Sequence, residues 1–179
     1  MPNWARTTMR VEGKPEIVKS FHSEFFRVPV GLKTSPPWDP KNPPAADADW
    51  IDYQAESPEC RMWNVIAPPE EIRHEYFQTI SINSNNRDQS NNWYEWNIKH
   101  WGTKWDLKDV DINTSDVGPE FATYVYSYDT AWGPPIEFMI RSSELFDVLF
   151  TFDGYEEGGI EYSGAIQSGQ MTDYTEKPW

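Results

Sequence analysis

Hydrophobic and polar residues alternate near the start of the chain, where Met9 and Val11 are interleaved with Arg10 and Glu12. A period of two is typical of a strand that buries one face, because successive side chains of a strand point to opposite sides. Residues 4–13 are therefore predicted to form a first strand that ends at a glycine.

Two later segments have the spacing of helices. Pro15 stands where the first turn of a helix tolerates proline, and residues 15–27 carry apolar side chains three and four positions apart. The second predicted helix, 136–147, follows a pair of prolines. Its predicted buried stripe consists of Ile136, Met139, Ile140, Leu145 and Phe146.

Alternating segments at 110–113, 121–129 and 149–153 predict three more strands, and the glycine-containing tail predicts a turn and one more strand. This order of elements predicts an α+β fold of the ferredoxin-like, split βαβ type. In that arrangement an antiparallel sheet carries its helices on one face.

A long Pro/Trp-rich insertion follows the first helix. Seven prolines between residues 28 and 60 exclude a continuous helix or a central strand there. Trp38, Trp50 and Tyr53 predict that the segment nevertheless packs on the domain, since a disordered linker rarely carries such residues. The pattern after it predicts an extended piece at 62–66, a helix opening at Pro68-Pro69-Glu70-Glu71, and a Trp-rich helix capped by Asn92 and stopped by Gly102.

The composition predicts what the core is made of. The 179 residues include ten Trp, nine Tyr and nine Phe, and each buried Trp contributes roughly 200 Å². We expect one domain over 1–179 with a Trp-rich core, divided into 1–27, the insertion 28–105 and an acidic part 106–179. Trp-rich stripes serve cores and interfaces alike, so the sequence predicts no oligomeric state.

Charge is divided unevenly along the chain. The net charge is −14, of which residues 1–105 contribute −2 and residues 106–179 contribute −12. A negative field of this size repels nucleic acid phosphates and steers basic proteins towards the surface. The predicted partner-binding acidic surface consists of Glu144, Asp147, Asp153, Glu156, Glu157 and Glu161.

Four segments carry a resemblance to a known family: the start Met1-Pro2-Asn3-Trp4, the blocks 93–98 and 101–106, and Thr130-Ala131-Trp132-Gly133-Pro134-Pro135. They resemble the YubB-like family of ferredoxin-like-domain proteins, which bacterial plasmids and phages encode and which have no established activity. Ala5 stands where that family has cysteine. The resemblance implies a mobile-element protein and supplies no catalytic residues. Its motif residues are interpreted as architectural: Trp93, Trp96, Trp101, Gly102, Trp105 and Trp132.

No spacing predicts a metal site or a cofactor. His22, His74 and His100 are the only histidines, and although Glu70 and His74 would share a helix face, no second histidine stands nearby. We therefore expect no metal and no cofactor.

Catalysis is also not predicted. Glu156 and Glu157 could form the carboxylate pair of a hydrolase, but 29 acidic residues make chance pairs common. Cys60 would need a neighbouring base to act as a nucleophile, and the sequence shows none. We expect a non-enzymatic protein.

The favoured interpretation is an acidic protein-interaction module of a mobile genetic element. One version is a nucleic-acid mimic, in which carboxylates replace phosphates in the binding groove of a basic host defence or replication protein. The alternative is a nucleic-acid-binding sheet face formed by Tyr124, Tyr126 and Tyr128, since exposed aromatics stack bases. Charge argues against direct nucleic acid binding, because no Lys or Arg occurs between Lys108 and Arg141.

The expected location is the bacterial cytoplasm, without membrane association. No apolar run approaches the roughly 20 residues of a membrane span. The first residues also lack the basic and apolar parts of a secretory signal.

Overall fold

The computed structural model describes residues 3–34, 40–41, 51–69 and 93–179. The helices are α1 (Pro15–Phe25), α2 (Met62–Val65), α3 (Trp93–Trp101) and α4 (Ile136–Phe146). The strands are β1 (Trp4–Gly13), β2 (Phe26–Arg27), β3 (Lys33–Thr34), β4 (Ile51–Asp52), β5 (Glu59–Cys60), β6 (Lys108–Val117), β7 (Ala122–Ala131), β8 (Leu149–Glu156), β9 (Ile160–Gln167) and β10 (Gln170–Pro178).

Six of these strands form one sheet in the order β10-β9-β8-β1-β7-β6. Every neighbouring pair is antiparallel, and β1 at the centre pairs along its whole length with β7. Two short pairs, β2 with β5 and β3 with β4, lie outside the sheet. The α+β class predicted from the sequence is confirmed.

The predicted ferredoxin-like split βαβ fold is wrong, because a six-stranded antiparallel sheet dominates the structure. The tail holds two strands where one was predicted. Ser168 and Gly169 both have positive φ, 50° and 74°, between the paired residues Gln167 and Gln170. Two consecutive residues of this kind make the tight turn that suits a twisted hairpin, so β9 and β10 extend the sheet beyond β8.

The core lies between one face of the sheet and α1 and α4. Met9 and Val11 of β1 are fully buried, as the alternation predicted. Helix α1 buries Val18, Phe21 and Phe25 against them. The ring of Phe21 packs edge-on against Phe150 of β8, with 5.4 Å between centroids. The core is therefore aromatic, but the prediction of a Trp-rich core is wrong, because Phe and Tyr outnumber Trp among its buried residues.

Helix α4 buries the predicted stripe in part, since Met139 is fully buried and Ile136, Ile140 and Phe146 pack partly buried against the core. Phe138, Met139, Ser142 and Ser143 are buried, whereas Leu145 is 66% exposed. Small serines let the helix lie close to its neighbours, and the Ser143 hydroxyl accepts a hydrogen bond of 2.9 Å from the backbone N–H of Gly169. Apolar periodicity alone does not reveal such polar packing.

The predicted extended piece at 62–66 is helical instead, since residues 62–65 form α2. The cause is distant in sequence: the Asp106 carboxylate accepts hydrogen bonds from the backbone N–H groups of Met62 at 2.8 Å and Trp63 at 3.3 Å. These are the donors that a helix start leaves without partners. Burial raises the pKa of Asp106, while Arg61 and these N–H groups act in the opposite direction.

The described part of the insertion packs on the domain, as predicted. The side-chain amide nitrogen of Asn64 lies within 3.0 Å of the carbonyl oxygens of Phe25, Arg27 and Glu59. The Trp63 indole N–H donates to the Val30 carbonyl at 3.0 Å. Trp38, Trp50, Glu70 with the helix predicted from it, His74 and the Asn92 cap lie outside the described residues.

Within the described ranges, no helix combines the length and the apolar character needed to cross a bilayer.

Candidate functional site

Three aromatic rings lie around one lysine at an end of the sheet, and a fourth ring packs against one of the three. The Lys104 ammonium lies 4.6 Å from the ring centroid of Trp105 and 5.8 Å from those of Tyr94 and Trp132. Trp4 packs against Trp105 with 5.9 Å between centroids, and Tyr94 meets Trp132 edge-on at 6.3 Å. We call these five residues the aromatic–lysine cluster.

Strand pairing assembles this cluster from distant parts of the chain. Trp4 begins β1 and pairs with Ala131, the last residue of β7. The next residue, Trp132, donates its backbone N–H to the Asn3 carbonyl at 2.9 Å. Helix α3 supplies Tyr94, and the segment that leads from α3 into β6 supplies the lysine and Trp105.

Trp132 has an unusual backbone and an exposed ring. Its φ is 70°, a left-handed conformation that is rare for large side chains. It is 47% exposed, and Tyr94 is 39% exposed. Strain of this kind costs on the order of 1–3 kcal/mol and tends to occur at functional sites.

Lys104 has no carboxylate within ion-pairing distance among the described residues. A neighbouring cation, Lys108, lies 4.8 Å from the centroid of Trp4 and pairs with Asp109 at 3.2 Å. The rings therefore hold Lys104 by cation–π attraction, and the charge of its ammonium stays available to a further group.

Other residues of the 101–106 block are architectural. The Trp101 indole N–H donates to the Ile66 carbonyl at 2.8 Å, and the buried Thr103 hydroxyl donates to the Ala131 carbonyl at 3.0 Å. Gly102 has φ 82°, and an added Cβ would lie 3.1 Å from the Glu137 backbone nitrogen. This block ties the insertion to β7 and α4.

The predicted architectural motif therefore divides into two groups. Trp96 and Trp101 are buried and pack edge-on at 5.5 Å, and Trp93 is partly buried against the core. Trp105 and Trp132 instead belong to the aromatic–lysine cluster. Sequence reasoning missed Tyr94, Lys104 and Trp4 as site residues, because no sequence spacing brings Trp4 beside Trp105.

The six residues of the predicted acidic surface do not form one patch. Glu144 and Asp147 lie at the end of α4, where Glu144 is close to Gly169. Asp153 pairs with Arg10 at 2.7 Å, and Glu161 with Lys177 at 3.1 Å. Glu156 and Glu157 lie at the opposite end of β8 from α4.

Glu156 and Glu157 shape a turn instead of facing each other as a hydrolytic pair. Glu156 is only 9% exposed and accepts a hydrogen bond from the Gly158 backbone N–H at 2.8 Å. Glu157 accepts one from the Trp4 backbone N–H at 2.9 Å. Both carboxylates thus fix the path of the chain between β8 and β9.

The predicted aromatic face of Tyr124, Tyr126 and Tyr128 is not an exposed platform. Tyr126 and Tyr128 are fully buried, and Tyr124 stacks on His22 of α1 with 4.3 Å between centroids. Helix α1 covers these positions because the face belongs to the core side of β7. Base stacking on this surface, the basis of the alternative function, is therefore excluded.

His22 links α1 to this buried face. Its Nδ1 lies 2.7 Å from the Tyr126 hydroxyl, and burial lowers the pKa of His22. Burial also lowers the pKa of His100, with further lowering from Arg141 and Lys99. Both imidazoles are thus favoured in their neutral form.

We expect His22→Gln to reduce the acid sensitivity of the fold. The lowered pKa of His22 means that the unfolded chain takes up the proton first, so this stabilisation is complete above about pH 6.5 and declines as pH falls. Glutamine keeps a hydrogen-bonding group but does not titrate. Urea unfolding between about pH 7 and pH 5 should show a shallower loss of stability in the variant, and an equal loss in both proteins would contradict the assignment.

Cys60 is buried among the described residues, and burial raises its pKa to about 12. A thiol with such a pKa is not a nucleophile near neutral pH. No group of three His, Cys, Asp or Glu side chains within the described ranges has the arrangement of a metal site.

Comparison with known proteins gives a fold relationship. No protein-family model and no curated protein matches the chain. The chain is similar to the crystal structure of a protein api92 from Yersinia pseudotuberculosis, described with the family-model DUF1281, at a TM-score of 0.62 and 10% identity. The similarity covers 100% of this chain and 99% of that one. At this identity it shows a shared α+β fold alone, and the YubB-like resemblance stays a prediction.

Proposed function

We propose that the protein is a non-enzymatic interaction domain that binds a basic protein along the β10 edge of its sheet. The observation that carries this proposal is the coincidence of a free strand edge with the most acidic segment of the chain. Among the described residues, β10 pairs on one side only, with β9.

The strands that carry this charge are adjacent in the sheet, although their carboxylates do not form a single patch. Residues 144–179 contain eight carboxylates and one cation, Lys177, and they form the end of α4 followed by β8, β9 and β10, which are neighbours in the sheet. Asp173 and Glu176 are exposed on the edge strand itself. The remaining negative charge of residues 106–143 lies largely at the other edge, around β6.

A free edge presents backbone N–H and C=O groups to an incoming strand, and carboxylates beside it select a strand that carries Lys or Arg. The field also raises the rate of encounter with a basic protein. The finer proposal, carried over from the sequence, is that the partner is a nucleic-acid-binding protein of a bacterial host and that the carboxylates replace phosphates.

Charge reversal at the edge tests this proposal. We expect Asp173→Lys with Glu176→Lys to weaken capture of the partner about tenfold, which corresponds to about 1.4 kcal/mol. The matched control is Asp116→Lys with Glu120→Lys near the β6 edge, which changes net charge equally. The measurement is parallel affinity capture from a bacterial lysate with wild-type protein and both variants as baits, followed by mass spectrometry.

A protein retained by wild type and by the control pair, but lost with the β10 pair, is the expected result. Equal retention by all three baits would overturn the proposal. Release of the captured protein by added double-stranded DNA supports the mimicry version, and retention in its presence argues against that version. Glu156 and Glu157 are poor test positions because their carboxylates hold the turn after β8.

A further inference from the structure

The aromatic–lysine cluster has properties that packing does not require. Trp132 and Tyr94 stay substantially exposed, although burial would stabilise such large rings. Trp132 also adopts a left-handed backbone, with φ 70°, that glycine would tolerate without strain. The fold thus holds a large ring outward at a cost in stability.

The two exposed rings form a corner. Their planes are inclined by 81° with 6.3 Å between centroids, so a planar group that stacks on one ring lies nearly perpendicular to the other. This is the preferred geometry among aromatic groups. The corner therefore fits a flat, aromatic ligand better than a branched aliphatic one.

Lys104 adds the requirement that the ligand carry a negative charge. Its ammonium lies 5.8 Å from both centroids of the corner, and no described carboxylate pairs with it. The flexible four-carbon stem of a lysine lets the ammonium turn towards an anion beside the stacked group. A ligand that satisfies the site has a planar aromatic part and an adjoining anion.

We propose that the aromatic–lysine cluster binds a nucleotide unit, with the base stacked on Trp132 in the corner formed with Tyr94 and the phosphate on Lys104. This site is separate from the β10 edge, and its failure would leave the proposed function unaffected. The same chemistry occurs in a free nucleotide and in single-stranded nucleic acid. With a net charge of −14, the protein repels a long polyanion, which favours the free nucleotide.

Calorimetric titration with adenosine 5′-monophosphate and with adenosine tests the two halves of the site in the full chain. We expect Trp132→Gly to weaken binding of both compounds about tenfold or more, since stacking on the indole is the main contact of the base. Lys104→Gln should weaken the monophosphate about tenfold and leave adenosine unchanged. The matched controls are Trp179→Ala, which removes a 73% exposed Trp whose ring packs on Tyr155, and Lys99→Gln on α3.

Three results would overturn the proposal: no binding of the monophosphate up to about 10 mM, binding that Trp132→Gly leaves intact, or an equal loss with the controls. Thermal unfolding shows whether the Trp132→Gly variant is folded. We expect it to keep its melting temperature, because glycine relieves the backbone strain. If it does not, Tyr94→Leu gives a second variant that alters only the other ring.

A single-stranded adenylate oligonucleotide of about ten residues identifies the source of the nucleotide unit. Tighter binding than the monophosphate indicates a nucleic acid, and equal or weaker binding indicates a free nucleotide.

Discussion

Replacing Trp101 with alanine is expected to lower the free energy of unfolding by about 3–5 kcal/mol, the usual range for a fully buried Trp. The indole is completely buried, packs edge-on against Trp96 at 5.5 Å and donates its N–H to the Ile66 carbonyl at 2.8 Å. Alanine leaves a cavity between α3 and the residues that follow α2, and it leaves the Ile66 carbonyl without its donor. Urea denaturation monitored by circular dichroism measures the change.

Trp101→Phe separates the two causes. Phenylalanine keeps most of the ring volume and loses the hydrogen bond, so we expect an intermediate loss of stability. The control is Trp179→Ala, which removes a 73% exposed side chain and should alter stability by less than about 0.5 kcal/mol. Similar losses for both alanine variants would mean that Trp101 does not anchor α3 to the residues that follow α2.

The substitution Gly154→Ala should destabilise the fold about as much as Trp101→Ala, although it adds only one methyl group. A Cβ at Gly154 would overlap the carbonyl oxygen of Arg6 on β1 and lie 2.7 Å from the Tyr162 hydroxyl. That hydroxyl lies 2.7 Å from the Thr7 hydroxyl and donates to the Arg6 carbonyl at 3.1 Å. The Tyr162 side chain thus crosses β8 at Gly154, where only glycine leaves room for it.

Because the overlap involves backbone at the centre of the sheet, relaxation must move β8 away from β1. We expect a loss of at least about 3 kcal/mol, at the upper end for overpacking, measured by thermal and urea unfolding. Gly133→Ala is the matched control, since a Cβ there meets nothing within 4 Å. A Gly154→Ala protein as stable as the control would show that Tyr162 does not hold the three strands together.

The local elements of this fold could be predicted where one rule dominated. Alternation defined β1, and Pro15 with its apolar spacing defined α1, which ends at Phe25 instead of continuing to 27. Gly102 stopped the Trp-rich helix as predicted, because its φ of 82° suits glycine. Each of these signals acts within a few residues of its own position.

Other features had no local signal. Residues 62–65 became helical because Asp106, more than forty positions later, accepts hydrogen bonds from their N–H groups. The tyrosines of β7 have the pattern of an exposed platform, but alternation does not say which side of a strand the helices cover. The acidic residues 144–161 were expected to share one surface. They lie instead before β8, in its middle, at its far end and on β9.

The sequence by itself determined the aromatic core, the α+β class, the positions of the first strand and the main helices, and the concentration of negative charge after residue 105. These follow from composition and from periodicities that repeat over a few residues. Tertiary structure alone decided the six-stranded order and the burial of Tyr126 and Tyr128. It also brought Trp4, Lys104 and Trp132 together. The reason is that strand pairing joins residues more than a hundred positions apart, and short-range sequence patterns contain no record of those partners.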